Sequence, residues 1–411
     1  MPAAHQPDGH AHRRSDRLLP RDDRADRAGA GGHLTGPVVV RPVTSSRDLG
    51  RFIDLPYRLH AADPLWAPPL RRDVRAQLDR EANPFFQHAA AEYFLAEQGG
   101  RVVGRIAAIH NQLHNDTHHD RVGFFGFFEC VDDQSVAAAL LDAAAAWLRT
   151  RQLDTIRGPA SFSVNEEIGL LVEGFDTPPT LMMPHNPRYY LGLLEAAGFT
   201  TAKNLLVYQG GHTTRAAPVP ERLTRATRVM AERLGVTLRP MRMHDFDAEL
   251  ARIKVLYQKC WEKNWGFVPM TEAEINHLAA QFKPVVVPDL VPFLEKDGEA
   301  IGFALALPDL NVVLRHNRKG WLLPVILPLF WALKRRTIRR TRVLLLGVVP
   351  EWRGRGLDAL LYHWVWTRAA QHGMYWGEAS WILEDNPAMI AGLVKMGLSH
   401  YKTYRVYDRA L

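Results

Sequence analysis

Arg342-Val-Leu-Leu-Leu-Gly-Val-Val-Pro350-Glu-Trp-Arg353-Gly354-Arg355-Gly356-Leu357-Asp358 is the stretch that decides the fold. Arg342 to Val349 is an apolar, β-branched run and reads as a buried strand. Pro350 stops it, a basic turn with two glycines follows, and apolar residues at 357, 360, 361 and 364 restart the chain as a helix. A strand, a glycine-bearing turn and a helix N-terminus together make an anion site. The first-turn amides have no acceptor within the helix, and the helix dipole turns its positive end toward the turn. Gly354 and Gly356 let the backbone curl close to an anion, and Arg353 and Arg355 add charge.

Outward from this motif, the order of signals occurs twice. Val38–Val43 and Val236–Met241 each read as a short strand ending in Arg-Pro, followed by a helix rich in Asp, Leu and Arg. A pair of strands joined by a polar glycine turn comes next, at Gly99-Gly100 and at Asp297-Gly298. A central apolar strand and a helix follow, Ser135–Arg151 in one half and Leu357–His372 in the other. Each half then reads Asn-Pro, an apolar helix and a Gly, from Asn186 to Gly198 and from Asn386 to Gly397, before a last strand. Asn before Pro is expected to cap each of these helices, and the Gly to close it.

The turn resembles the acyl-CoA pyrophosphate loop of the GNAT acyltransferase superfamily, Gln/Arg-x-x-Gly-x-Gly/Ala. Arg353 and Gly356 match its first and fourth positions, while Asp358 stands where a small residue is expected. The Asn-led helices carry the second hallmark, so the resemblance covers nearly all of the chain beyond the N-terminal tail. It implies an α/β fold of two tandem GNAT-like domains, each a mixed, mostly antiparallel sheet flanked by helices. The expected organisation is a disordered tail at 1–36, a degenerate domain at 37–209, a linker and connecting helix at 210–235, and an acyl-CoA-binding domain at 236–411 with an insert at 315–342. The halves are not equivalent. After its central strand the first half has Val131-Asp132-Asp133 and no glycine, which repels a pyrophosphate.

By the same resemblance, Val348, Val349, Arg353, Gly354, Arg355, Gly356, Leu357 and Asn386 are the candidates for holding acetyl-CoA or a longer acyl-CoA. Backbone N–H groups between Leu346 and Val349 would meet the thioester carbonyl. The catalytic tyrosine of many GNAT enzymes, seven residues after the Asn, is here Leu393. Tyr362, Tyr401 and Tyr404 are its substitutes, Tyr404 being preferred, and Glu378 and Glu384 are candidate bases. Glu384 with Asp385 reads equally well as favouring the next helix N-terminus. For the acceptor, the dense aromatics Trp261, Asn264, Trp265 and Phe267 form a candidate pocket wall, joined by Asn165 and Glu166 across a cleft between domains. His110, His114, His118 and His119 have helical spacing suited to zinc, but Asn and Asp crowd the segment and a polar loop is the expectation. No metal is expected.

Composition sets the remaining bounds. A chain of 411 residues is long enough for two domains, and 47% hydrophobic with 23% charged residues is ordinary for a soluble protein. Cys130 and Cys260 lie in different halves without metal or disulfide spacing, so a reducing cytoplasm is the default. No apolar run approaches the ~20 residues of a membrane span. The tail, with His5, His10 and His12, lacks a secretory core. Nine Lys and Arg between Arg315 and Arg342, with no acid, exceed the whole net charge of +7. The protein is therefore not generally basic, and nucleic acid is not an expected partner. Inside that segment Trp321 to Trp331 is apolar and broken by two prolines. Tryptophans, an apolar face and flanking cations suit a membrane interface on the cytoplasmic side. A hairpin buried against the first domain is the competing expectation.

These readings converge on an acyl-CoA-dependent N-acyltransferase whose amine acceptor is lipidic or amphipathic. A bacterial ceramide-synthase-like enzyme is the concrete form that the resemblance suggests. The alternatives are an acetyltransferase of a soluble amine, a non-catalytic CoA-binding scaffold, and a tRNA-dependent aminoacyl transferase.

Overall fold

The computed structural model describes residues 36–212, 214–215 and 219–411. The N-terminal tail with His5, His10 and His12 lies outside these residues, as does part of the 210–235 linker.

The first half runs β1 (Val39–Pro42), α1 (Ser46–Leu59), α2 (Arg71–Gln77), β2 (Ala89–Gln98), β3 (Arg101–Asn111), α3 (Gln112–His118), β4 (Val122–Cys130), α4 (Gln134–Arg149), β5 (Thr155–Gly158), β6 (Ala160–Ser161), β7 (Glu167–Ile168), β8 (Leu170–Glu173), α5 (Tyr189–Ala196) and β9 (Thr200–Gly211). The second half runs α6 (Glu221–Leu234), β10 (Val236–Pro240), α7 (Phe246–Trp261), α8 (Glu272–Phe282), β11 (Pro292–Lys296), β12 (Glu299–Pro308), α9 (Asn311–Leu314), α10 (Leu323–Lys334), β13 (Arg340–Val348), α11 (Leu357–Gln371), β14 (Trp376–Leu383), α12 (Pro387–Lys395) and β15 (Ser399–Ala410). Local chemistry explains most of the boundaries. Ser45 accepts from the Asp48 amide to start α1, and Thr271 with Glu274 forms a capping box on α8.

All the described strands but β6 and β7 form one mixed, mostly antiparallel sheet in the order β1-β2-β3-β4-β5-β15-β9-β14-β13-β12-β11-β10, with β8 beside β15, and β6 and β7 pair separately. Each half supplies a ladder of strands at one end of this order. At the centre the last strands are exchanged. β15 of the second half pairs with β5 of the first, and β9 of the first half pairs with β14 of the second. The Arg157–Asp408 ion pair at 2.7 Å staples this junction across 251 positions of sequence. One core gathers Phe293, Phe303, Leu346, Leu357, Leu361 and Leu393, and a second gathers Phe52, Phe85, Phe124, Phe162, Val207 and Tyr404. Val207 belongs to the first half and Tyr404 to the second, so the exchanged strands share the second core.

Three local expectations are corrected. Asn186 does not cap α5, whose N-cap is Arg188 without a side-chain bond. Its amide instead accepts from the Leu171 N–H at 2.8 Å and donates to the Leu171 carbonyl at 3.3 Å, pinning the loop to β8. The histidine segment is not a polar loop. Asn111 accepts from the His114 amide and starts the helix α3, which brings the His114 and His118 rings to 4.5 Å. Pro328 lies inside α10, where the helix continues although that residue has no N–H to give.

Candidate active site

Two neighbouring parallel strand pairs part midway, one in each half, and the gaps differ. β13 and β14 pair from Arg340↔Trp376 to Val343↔Ala379 and no further. Just past that point β13 bulges against β12, between Leu305 and Ala306. The Val349 amide donates to the Ile301 carbonyl of β12 at 2.9 Å. Alternation along the strand therefore turns the N–H groups of Leu346 and Val348 to the other side, into the gap. Beyond β13, Gly354 and Gly356 take left-handed φ values of 73° and 76°. α11 starts at Leu357 with no side-chain cap, so its first amides face the turn unclaimed by a cap.

The arginines of this turn have different tasks. Arg353 donates from Nε to the Val348 carbonyl at 3.0 Å and from Nη2 to the Cys260 carbonyl at 2.6 Å. It straps the turn to β13 and to the end of α7. Arg355 is exposed, with its guanidinium 4.6 Å above the Trp352 ring. The Asp358 carboxylate lies toward α12, 3.4 Å from where a Cβ on Gly392 would stand. Asn386 spends its side chain on capping α12, accepting from the Met389 amide at 3.1 Å.

In the first half β4 and β5 pair only from Val122↔Thr155 to Phe124↔Arg157. This gap is occupied by the chain itself. A Cβ on Gly126 would stand 1.9 Å from the Ala160 carbonyl oxygen, so the backbone of β6 lies directly on β4. The N-terminus of α4 is occupied too. Asp133 accepts from the amides of Ser135 and Val136 at 2.8 and 3.4 Å. A carboxylate of the protein sits where an anionic ligand would have to dock.

Where β13 and β14 separate, a buried polar network begins. Glu378 is 1% exposed. It accepts from Ser380 Oγ at 2.6 Å, from Thr180 Oγ1 at 2.7 Å, and from the Tyr401 hydroxyl. Arg342 Nε donates to Ser380 Oγ at 2.9 Å and lies 3.9 Å from the Glu378 carboxylate. Burial, and then the neighbouring Glu378 carboxylate, hold the Tyr401 hydroxyl protonated far above the usual tyrosine range. The other two catalytic candidates stand apart from this network. Glu384 follows β14 and receives the backbone N–H and side-chain amide of Asn204 at 2.9 and 2.8 Å. Tyr404 is fully buried, and its hydroxyl donates to the Pro184 carbonyl at 3.1 Å.

The aromatic segment lies against both halves. Trp261 stacks on Tyr257 with ring centroids 5.4 Å apart, and it packs on Gly347 of β13 so tightly that a Cβ there would stand 2.7 Å from the indole. Tyr257 donates to Asn165 Oδ1 at 2.6 Å, and Asn165 in turn donates to the Val268 carbonyl at 3.2 Å. The Phe267 carbonyl lies 2.8 Å from His118 Nε2 of α3. Trp265 faces Arg157 and Lys203 across the junction, and Asn264 holds the turn through backbone bonds to Trp261 and Phe267.

A cavity of about 530 Å³ opens beside this junction. Asn165, Glu166, Glu167 and Gln77 line it, with Leu181 and Met183 from the loop that also covers Arg342 and Ser380. Burial pushes the Glu166 carboxyl up to about 8, against a hydrogen bond from Gln77 that favours the ionised form. A carboxyl whose pKa is raised on folding adds stability that is complete below the unfolded value of 4.5 and is lost as pH climbs through about 8. Glu166→Gln is therefore expected to raise the melting temperature relative to the unsubstituted protein at pH 9 by about 2 °C or more, and to lose that advantage at pH 5. Melting curves at the two values check this, and an equal shift at both would contradict it.

Of the network partners, Tyr401 was one of the substitutes for the missing tyrosine, whereas Thr180, Arg342 and Ser380 had no signal in the sequence, because each is ordinary in its local context. Among the described residues no cluster of His, Cys, Asp and Glu is arranged to hold a metal.

No family model matches the chain. It is 39% identical over 378 residues to the bacterial ceramide synthase of Caulobacter vibrioides (strain NA1000 / CB15N), a match spanning 90% of this chain and 97% of the relative. It is 34% identical over 379 residues to Protein YghO of Escherichia coli (strain K12), covering 91% and 95% of the two chains. Among solved structures, a tandem GNAT protein from the clavulanic acid biosynthesis pathway superposes with a TM-score of 0.52 at 15% identity, over 91% of this chain and 98% of that one. The 39% identity over nearly the full length of both chains places this chain in the family of the Caulobacter ceramide synthase, and its architecture is the tandem GNAT fold.

Proposed function

We propose that the protein transfers an acyl group from acyl-CoA to the amine of a lipidic or amphipathic acceptor at a membrane surface. The contrast between the two helix N-termini carries this reading. α4 is capped by its own Asp133, whereas α11 begins at a glycine in left-handed conformation, without a cap, beside a parted strand pair. The pyrophosphate would take the amides of the 354–358 turn and the charge of Arg355, with Arg353 holding the turn in shape. The N–H groups of Val348 and Leu346 would meet the thioester carbonyl in the gap.

In the reaction the amine nitrogen attacks the thioester carbon. A C–N bond forms, the C–S bond breaks, and the proton leaving nitrogen must be taken up. Glu378 is the acceptor we assign for that proton, reached through the Ser380 hydroxyl, the first residue of β14 beyond its pairing with β13. The departing thiolate takes a proton in turn. Trp261, Trp265 and Phe267 wall the acceptor side, with Asn165 and Glu166 offering polar contacts to a cationic head. The similarity to a protein named for ceramide synthesis supports a long-chain amino alcohol as acceptor.

The membrane part of the proposal rests on α10. Leu323, Ile326, Leu327, Phe330 and Trp331 are 45–82% exposed and recur at helical spacing, with Lys334, Arg335 and Arg336 at the C-terminal end. The preceding loop is docked rather than free. Arg318 donates to the carbonyls of His60, Asp63 and Trp66 at 2.7–2.8 Å, and Arg71 donates to the Lys319 carbonyl at 2.7 Å. No described helix is long and apolar enough to cross a membrane. Leu327→Glu with Phe330→Glu is expected to cut sedimentation with vesicles of phosphatidylglycerol and phosphatidylethanolamine at least tenfold. Unchanged sedimentation would remove the membrane from the proposal.

Calorimetry with acetyl-CoA and palmitoyl-CoA tests the central reading. Tighter palmitoyl-CoA binding is the expected result. Preference for acetyl-CoA would shift the reading to a soluble amine, and binding of neither would overturn it.

A further inference from the structure

α10 has two faces, and the inner one belongs to the cavity. Leu329 lines the same 530 Å³ space as Leu314, Phe282, Val285 and the carboxyl groups of Glu166 and Glu167. A space of this size falls within the ~300–1,000 Å³ usual for small-molecule sites. On the other side of the helix, Leu327 is 66% and Phe330 53% exposed. A single helix thus separates an exposed apolar surface from a cavity with an apolar wall and acidic groups. Its preceding loop is anchored, because Arg318 binds four carbonyls of the first half and the Gly320 carbonyl accepts from the Arg71 amide at 3.0 Å.

We propose that α10 is the wall of a lipid portal: with its outer face seated in the bilayer, a single-chain amphiphile passes beneath it, alkyl chain along Leu314, Leu329 and Val285, cationic head toward Glu166 and Glu167. This rests on the reading of the acceptor as an amphipathic amine and adds the route by which it arrives. Charge complementarity selects the occupant of the outer face. Trp321 and Trp331 sit where headgroups would lie, and Lys334, Arg335 and Arg336 are placed for anionic lipid phosphates. Glu166 and Glu167 give the cavity carboxyl groups that can accept hydrogen bonds from an ammonium head, whose charge beside them favours their ionised form.

The test uses a C18 primary amine bearing a diazirine near its methyl end, supplied to the full-length protein in phosphatidylglycerol/phosphatidylethanolamine vesicles or in detergent micelles. After irradiation, labelled peptides are mapped by mass spectrometry. Label is expected on the segments holding Leu314, Leu329 and Val285. Leu329→Trp and Val285→Trp, which fill the cavity from separate walls, are each expected to reduce label at least tenfold without changing vesicle sedimentation. Misfolding of one variant leaves the other to decide. Leu327→Glu with Phe330→Glu is expected to abolish labelling from vesicles and preserve it from micelles. Label outside the cavity, or label undiminished in both tryptophan variants, overturns the portal. So does retention of vesicle sedimentation by the glutamate variant while it loses a co-purifying protein, since the outer face then belongs to a protein partner. Palmitoyl-CoA calorimetry on the same preparations separates the two proposals. Loss of acyl-CoA binding with cavity labelling intact removes only the acyl-CoA reading, and the converse removes only the portal.

Discussion

Arg353→Ala combined with Arg355→Ala is expected to weaken palmitoyl-CoA binding at least about a hundredfold, since hydrogen bonds involving a charged group contribute about 1.5–3 kcal/mol each. The two residues fail differently. Arg355 is exposed and rests on Trp352, so Arg355→Ala alone removes charge and should cost about tenfold, with a shallower salt dependence of binding. Arg353 is tied to the Val348 and Cys260 carbonyls, so its loss also slackens the turn that presents the amides of α11. Arg353→Lys keeps charge but cannot span both carbonyls with one planar fork, and should recover little. Titration calorimetry at two salt concentrations reads all three variants. Unimpaired binding in the double variant would mean that the anion docks elsewhere.

The second large effect is expected at Glu378. Glu378→Gln keeps the volume and most of the hydrogen-bonding capacity of a side chain that is 1% exposed, but removes the proton acceptor. Turnover should fall about 10²- to 10⁴-fold with palmitoyl-CoA affinity unchanged. Glu378→Ala should be worse in another way. It leaves Arg342, 3% exposed in its side chain, without its carboxylate neighbour, and removes the acceptor of Thr180, Ser380 and Tyr401. Breaking such a buried pair costs about 3–5 kcal/mol, so this variant should be measurably destabilised in denaturant titration. If Glu378→Gln turns over at the normal rate, Glu378 is structural and the base lies elsewhere. Ser380→Ala is the companion test, because a relay would slow turnover there too while leaving the Glu378 and Arg342 pair in place.

The readable part of the site was the part built from neighbours in sequence. The 350–358 turn, its two glycines and the start of α11 depend on a handful of consecutive residues, and the structure places them as a strand, an uncapped helix start and left-handed glycines. The contrasting Asp133 was readable for the same reason, although its role as a cap on α4 became visible only with its bonds to Ser135 and Val136. Asn186 shows the limit of this kind of reading. The same Asn-Pro signal caps α12 at Asn386, but at Asn186 the side chain finds the Leu171 backbone, which no local rule anticipates. Glu378 stood out in the sequence as a carboxylate inside an apolar strand. Its partners Thr180 and Tyr401 come from a loop of the other half and a strand after α12, and only folding brings them within hydrogen-bond distance.

Legible in the sequence alone were the repeated order of elements, the contrast between the two helix starts, and the unusual apolar and basic segment before β13. These follow from periodicity, glycine, proline and charge, which act over a few residues. Tertiary structure decided that each half lends its last strand to the other's ladder, so that β15 lies against β5 and β9 against β14. It also decided that the Arg315–Gly320 loop grips the first half while α10 keeps one face outward and one over a cavity. The physical reason is that strand pairing and cavity walls are set by contacts between residues hundreds of positions apart. Any apolar strand can pair with several others locally, and only the packing of the whole chain selects one arrangement.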